Sequence, residues 1–204
     1  MNCTAWGPLK EAIEKGTLDA EVVCVQEHHL LSDGCKDAVK LAALHGWTAD
    51  FVPAYATGNA DGTTGGVGIL ARCGIGLRPA ECSHPAVQIP RSNRMAFWHV
   101  GCGITGGFIA CSLYLVTGDG MGSLNQSLLF QVGAALKAFE KSFVICADWQ
   151  MEPLALSAGW LHAVNGTIRT AARPTCITWA CASEIDYFVT GGAIDQTTLG
   201  ADLI

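Results

Sequence analysis

Short runs of β-branched and apolar residues alternate with helical segments along the whole chain, and this alternation restricts the fold more than any other feature. Apolar runs between turn signals are typical of buried strands, whereas apolar residues at helical spacing are typical of amphipathic helices. The runs that predict strands are residues 22–27, 66–72, 94–101, 108–115, 142–148 and 185–190. The segments that predict helices are residues 8–15, 34–46 and 124–140.

Some predicted strands follow one another directly, as in hairpins, and others are separated by a helix. That mixture favours sheets layered with helices over an all-parallel, doubly wound sheet. No linker, low-complexity segment or internal repeat breaks the pattern. A chain of 204 residues is long enough for one domain with a substantial core, so residues 1–204 are expected to form a single domain.

The composition excludes a disordered chain, because half of the residues are hydrophobic and only 15% are charged. The longest uncharged stretch, residues 100–117, is interrupted by glycines and favours a buried strand over a membrane span. No basic and apolar leader opens the sequence, so we expect neither a signal peptide nor a membrane anchor. A membrane is therefore not an expected partner.

The ten cysteines are scattered and contain no C-x-x-C pair. Cys24, Cys111 and Cys146 lie inside apolar runs, where a thiol behaves as a small hydrophobe. A zinc site lacks the required spacing, and a disulfide framework lacks a secretory context. The sequence therefore favours core cysteines in a reducing, intracellular compartment, without distinguishing cytoplasm from nucleus.

The net charge is −6, and the 12 Lys and Arg residues are spread thinly. Arg91 with Arg94 and Arg169 with Arg173 come nearest to a basic patch. Nucleic-acid binders usually gather such residues on one surface, so this pattern argues against a non-specific, high-affinity duplex binder. It argues less against an enzyme, since bound metal ions can supply positive charge to a phosphate.

Three predicted strands carry an acidic residue at one end: Glu27, Asp148 and Asp186. Each alone is best explained as a solvated strand end, because charged side chains are mostly exposed. Together they indicate a site where carboxylates converge. Hard cations such as Mg²⁺ prefer carboxylate and water oxygens, often with only one or two protein carboxylates plus substrate phosphate.

Seven segments, in order and spacing, resemble the endonuclease/exonuclease/phosphatase family nearly from end to end. They are NCTAWG at 2–7, VQE at 25–27, GGVGIL at 65–70, Arg94, SLY at 112–114, ADWQ at 147–150 and IDYF at 185–188. The resemblance implies an α/β (α+β) fold of the DNase I-like kind, a four-layer sandwich of two packed mixed β-sheets flanked by helices. It also implies Mg²⁺- or Mn²⁺-dependent hydrolysis of a phosphodiester, with nucleic acid as substrate.

The same resemblance implies a role for each matching residue. Glu27 would be the principal metal ligand, and Asn2 would help to order it. Tyr114 would contact the scissile phosphate, and Asp148 would position or activate the attacking water. Gln150 would help to bind phosphate and metal, and Asp186 would orient a histidine near the C-terminus. The implied activity is that of a nucleic-acid endonuclease, on DNA and of a retrotransposon-like type, in preference to that of a small-molecule phosphatase.

The chain departs from the family pattern at Gln150, where the family usually has Asn, and in having no histidine after His162. The added methylene moves the amide by roughly 1 Å, which can cost on the order of 100-fold in rate. Relative to the family pattern, the first and last strands are expected to be missing. The alternative function is therefore a catalytically degenerate remnant, either a non-enzymatic binding module or a non-functional fragment.

Two histidines directly follow Glu27. Side chains alternate between the faces of a strand, so only His29 is expected to share the side of Glu27. An oxygen-rich Mg²⁺ site does not favour imidazole, so both are interpreted as structural or site-edge residues rather than ligands.

Overall fold

A computed structural model gives the fold of the chain. It describes residues 5–58, 62–82, 87–102, 104–170, 173–177 and 182–196. The helices are α1 (Trp6–Lys15), α2 (Ser32–Leu44), α3 (Ser123–Phe139), α4 (Pro153–Gly159) and α5 (Leu161–Val164), followed by a 3₁₀ segment, Gly192–Gln196. None of the helices described is both long and apolar enough to span a membrane.

The strands form two principal sheets. The smaller sheet, in the order β1-β5-β2, contains β1 (Val22–Gln26), β2 (Trp47–Val52) and β5 (Val67–Arg72). The larger sheet, in the order β10-β13-β9-β8-β7-β6, contains β6 (Leu77–Pro79), β7 (Met95–Val100), β8 (Phe108–Tyr114), β9 (Phe143–Asp148), β10 (Thr167–Arg169) and β13 (Asp186–Gly191). Two short hairpins complete the set: β3 (Tyr55–Ala56) with β4 (Thr63–Thr64), and β11 (Cys176–Ile177) with β12 (Ala182–Ser183).

The elements pack in four layers, as predicted. Helices α1 and α2 bury Leu9, Ile13 and Ala38 against the outer face of the smaller sheet. Helices α3 to α5 cover the outer face of the larger sheet, where Leu129 and Val132 join its buried core. Between the sheets lies a third cluster that includes Ile69, Val67, Trp98 and Ala110. Burial of these apolar faces is the main force that holds the layers together.

The pairing directions differ between the sheets. In the larger sheet β8 and β9 are parallel, while the other described pairs are antiparallel. The described pairs of the smaller sheet, β1 with β5 and β2 with β5, are antiparallel. Mixed pairing was expected in both sheets; among the described pairs it is found in the larger sheet, whereas the smaller sheet is antiparallel.

The cysteines match the sequence interpretation in part. Of the three predicted in the core, Cys24 and Cys111 are buried and Cys146 is only partly buried, and the cysteines among the described residues are free thiols. Leu44, an apolar residue of α2, is 83% exposed. It lies in the last turn of α2, beyond the part that packs against the sheet.

Candidate active site

Tyr114, Asp148 and Asp186 lie side by side on three neighbouring strands of the larger sheet. Tyr114 at the end of β8 is in register with Asp148 at the end of β9. Asp186, which begins β13, is in register with Asp148 on its other side. Neighbouring strands are about 5 Å apart, so these three side chains form a row at one edge of the sheet. The row forms because β8 runs parallel to β9 and β13 runs antiparallel to it, so the end of β8, the end of β9 and the start of β13 coincide.

Glu27 reaches this row from the smaller sheet. It follows the last residue of β1 and has a left-handed backbone, with φ of 56°. This conformation is uncommon for a residue with a side chain and recurs at functional sites. The backbone after Glu27 is hydrogen-bonded to the glycine turn before β5: the amide of His28 donates to the carbonyl of Gly66 at 3.4 Å. Burial, and after it the nearby Glu27 carboxylate, raises the pKa of the Tyr114 phenol, so the two sheets bring these side chains close together.

The five residues Glu27, Tyr114, Asp148, Gln150 and Asp186 line a single cavity of about 710 Å³. A cavity of this volume falls within the usual range for small-ligand sites. The structure therefore brings together every described residue that the sequence assigned to the site. Asn2, the remaining predicted metal-side residue, lies outside the described residues.

Asp148 is the most strongly perturbed acid of the cavity. Its side chain is fully buried, and burial, followed by the charge of Asp186 and then that of Glu27, raises its pKa to about 7. The Gln150 side-chain amide donates to Asp148 Oδ2 at 2.7 Å, and the Gln150 backbone amide lies 3.2 Å from Oδ1; both oppose the rise. Burial also raises the pKa of Asp186, while the Thr175 hydroxyl opposes that rise.

The residues of the cavity fit a hard divalent cation. The donors of Glu27, Asp148 and Asp186 are carboxylate oxygens, and positive charge among them would relieve the repulsion that raises the pKa of Asp148. Within the described ranges, no three His, Cys, Asp or Glu side chains are grouped closely enough to hold a metal alone. Mg²⁺ commonly keeps several waters and needs only one or two protein carboxylates, so this donor set suits it.

His28 and His29 are structural. The His28 ring is buried against Phe51, with ring centroids 5.3 Å apart, and its Nδ1 accepts from the Leu30 amide at 3.0 Å. Burial lowers the pKa of His28 to about 4, so it is neutral near pH 7. His29 lies 3.2 Å from the Thr63 carbonyl. Strand alternation does not apply here, because β1 ends before Glu27, and the lining residues of the cavity include neither histidine.

Two buried polar residues support the site and had no role in the sequence interpretation. The Gln26 amide donates to Ser112 Oγ at 2.8 Å and to the Cys146 carbonyl at 3.0 Å. Ser112 Oγ donates in turn to the Val25 carbonyl at 2.8 Å. These hydrogen bonds join the two sheets at the residue before Glu27. The available signal was a glutamine inside an otherwise apolar run, where a buried amide needs partners.

Comparison with known proteins gives no match to a family model and none among curated proteins. Solved structures do match. A 3′ phosphatase (NExo) from Neisseria, bound to its product DNA hairpin, has a TM-score of 0.64 at 14% identity, covering 96% of this chain and 86% of that one. The endonuclease domain of TRAS1, a telomere-specific non-LTR retrotransposon, has a TM-score of 0.63 at 16% identity, covering 93% and 81%.

The catalytic domain of human Nocturnin, with a bound sulfate anion, gives a TM-score of 0.61 at 13% identity, covering 90% of this chain and 75% of that one. The chain has the DNase I-like fold. The resemblance drawn from seven short segments is thereby confirmed at the level of architecture. In the DNase I-like fold of this chain, the cavity that holds Glu27 and Asp148 lies where the two sheets meet.

Proposed function

We propose that this chain is a divalent-cation-dependent phosphodiester hydrolase that acts on nucleic acid, most simply as an endonuclease. The observation that carries the proposal is the convergence of Glu27, Tyr114, Asp148 and Asp186 on one cavity. Glu27 would hold the cation, with water molecules completing its coordination. A bound Mg²⁺ or Mn²⁺ would offset the charge that develops on the phosphate oxygens.

The side chains of the chain itself supply the remaining steps. Asp148, whose carboxylate lies in the cavity beside Tyr114 and Asp186, is placed to accept a proton from the attacking water. Tyr114, which lines the same cavity, can donate through its hydroxyl to a phosphate oxygen. The sequence assigned to Asp186 the orientation of a histidine. Since no histidine is among the described lining residues, we assign to Asp186 an electrostatic role beside Asp148, because in the cation-free protein its charge adds to the effect of burial on the pKa of Asp148.

The nucleic-acid substrate is supported by the structural neighbours. NExo is bound to a product DNA hairpin, and the TRAS1 domain is an endonuclease. DNA, and an origin in a retroelement, are the narrower forms of this proposal. The thin distribution of basic residues is compatible with it when a cation supplies the charge that phosphate requires.

Mg²⁺-dependent nicking of supercoiled plasmid by the purified chain tests the proposal, with a labelled RNA of the same sequence as a second substrate. We expect nicking with Mg²⁺ or Mn²⁺ and none with EDTA. Glu27→Ala and Asp148→Ala should lose at least about 100-fold in rate, the usual scale for general bases and electrostatic stabilisers. A wild-type rate no higher than that of either variant would refute hydrolysis by this chain.

A second candidate function is binding of nucleic acid without turnover. It is favoured by Gln150, whose side-chain amide is used on Asp148 Oδ2 at 2.7 Å and whose φ is 52°. A residue that is occupied in this way is less available to a substrate phosphate. Binding without nicking in the plasmid experiment would select this candidate.

Gln150→Asn should raise the nicking rate, on the order of several-fold. The shorter side chain places its amide roughly 1 Å back, in the position that the family pattern uses, and misplacements of this size affect rates strongly. The exposed Gln126, on α3, provides the matched control Gln126→Asn, which should leave the rate unchanged. A fall in rate for Gln150→Asn alone would show that Gln150 has been assigned the wrong role.

A further inference from the structure

One cationic side chain stands at the wall of the acidic cavity. Arg173 is exposed and is the only Lys, Arg or His among the described residues that line the cavity. The same cavity contains Glu27, Asp148 and Asp186. Three carboxylates in one cavity repel a phosphodiester, and opposite charge at close range is needed to offset that repulsion.

The backbone beside Arg173 is fixed to the catalytic row. Thr175 Oγ1 accepts hydrogen bonds from the Ile185 amide at 3.0 Å and from the Asp186 amide at 2.9 Å. The Thr175 amide donates to the Ser183 carbonyl at 2.9 Å. Pro174, between them, restricts the backbone further. Arg173 is thus attached, two residues away, to the strand end that carries Asp186.

The net charge of the chain is −6, so the protein as a whole repels a polyanion. A guanidinium matches the geometry of phosphate oxygens and can bind two of them at once. We propose that Arg173 binds a backbone phosphate of the nucleic-acid substrate at the mouth of the cavity, while Thr175 fixes its position relative to Asp186. The inference rests on the proposed function and adds a substrate-binding residue to it.

The test compares Arg173→Ala and Arg173→Lys with Arg78→Ala, a control at an exposed arginine of β6 on the edge strand of the larger sheet. Affinity for a fluorescein-labelled DNA hairpin is measured by anisotropy without Mg²⁺, over a range of salt concentrations, and plasmid nicking is measured in parallel. We expect Arg173→Ala to weaken binding about tenfold or more and to reduce the salt slope by about 1. Arg173→Lys should recover part of the loss, and Arg78→Ala should match the wild type.

The outcomes separate the two proposals. Wild-type binding and nicking, with Arg173→Ala within about twofold of Arg78→Ala, would overturn the role of Arg173 and leave the hydrolase proposal standing. Absence of both binding and nicking in the wild type would overturn the hydrolase proposal and this inference with it. A loss of affinity in Arg173→Ala with an unchanged salt slope would also overturn it, since a phosphate contact must release counterions.

Discussion

Asp148→Asn should abolish nicking and yet make the cation-free protein more stable above neutral pH. Asparagine keeps the shape of the side chain but cannot accept a proton from water, and removal of a general base costs on the order of 100- to 10,000-fold in rate. The stability gain follows from the pKa of Asp148, which is raised from 3.8 to about 7 in the folded protein.

The direction of the pH dependence follows from proton uptake. Between pH 3.8 and about 7 the folded protein keeps a proton on Asp148 that the unfolded chain has released. Stability from this group is therefore fully present at low pH and is lost as the pH rises through about 7. The neutral side chain in Asp148→Asn avoids this loss of stability. A pKa raised by about three units corresponds to about 2–4 kcal/mol of free energy of unfolding near pH 8.

Urea unfolding with EDTA, at a series of pH values, measures the effect. The free energy of unfolding of Asp148→Asn should exceed that of the wild type near pH 8, and the gap should close as the pH falls toward the ordinary carboxyl range. Asp19→Asn, at an exposed acid, serves as the control and should show no such gap. A free energy of unfolding that is lower for Asp148→Asn than for the wild type near pH 8 would mean that the folded protein stabilises Asp148 in its ionised form. Added Mg²⁺ should narrow the gap, because a cation favours the carboxylate.

Gly66→Ala should destabilise the fold strongly and disturb the site as well. Gly66 has φ of 97°, and a Cβ there would lie 2.6 Å from the His28 ring. His28 is buried between Phe51 and the Val67 carbonyl and cannot move without shifting its neighbour Glu27. Left-handed strain and overpacking each cost roughly 1–3 kcal/mol, so we expect a total of about 2–6 kcal/mol.

The matched control is Gly74→Ala, because Gly74 also has φ of 97° but has open space where a Cβ would be placed. It should show the backbone strain alone, on the order of 1–3 kcal/mol, and normal nicking. Urea denaturation and nicking are measured on both variants. Equal destabilisation of the two variants would mean that the contact with His28 does not constrain the turn. Full nicking activity of Gly66→Ala would mean that the turn does not position Glu27.

The sequence predicted the main buried strands because their apolar runs are long and uninterrupted. It missed β2 (Trp47–Val52), in which Thr48 and Asp50 break the apolar pattern. It also missed the two- and three-residue strands, such as β10 (Thr167–Arg169), which have too few residues to show a period. These segments are strands because a neighbouring strand pairs with them, and that pairing is a tertiary effect.

The site residues also divide into those that the sequence predicts and those that depend on tertiary structure. Glu27, Asp148 and Asp186 stand at strand ends that a single sequence reveals. The register that aligns Tyr114 and Asp186 with Asp148 joins residues far apart in the chain and cannot be obtained from periodicity. Arg173 was noted only as half of a thin basic pair. Its approach to the cavity depends on the hydrogen bonds of Thr175, which no local pattern indicates.

Cation binding through Glu27 is the step on which the proposed hydrolysis depends, and Mn²⁺ binding followed by electron paramagnetic resonance measures it without a substrate. We expect saturable binding by the wild type, competition by Mg²⁺, and affinity at least about tenfold weaker in Glu27→Gln. Loss of a residue that only hydrogen-bonds to a metal ligand already costs about that much. Glu14→Gln, at an exposed glutamate of α1, should bind as the wild type does. Mn²⁺ binding that is absent, or that is unchanged in Glu27→Gln, would contradict a metal site centred on Glu27.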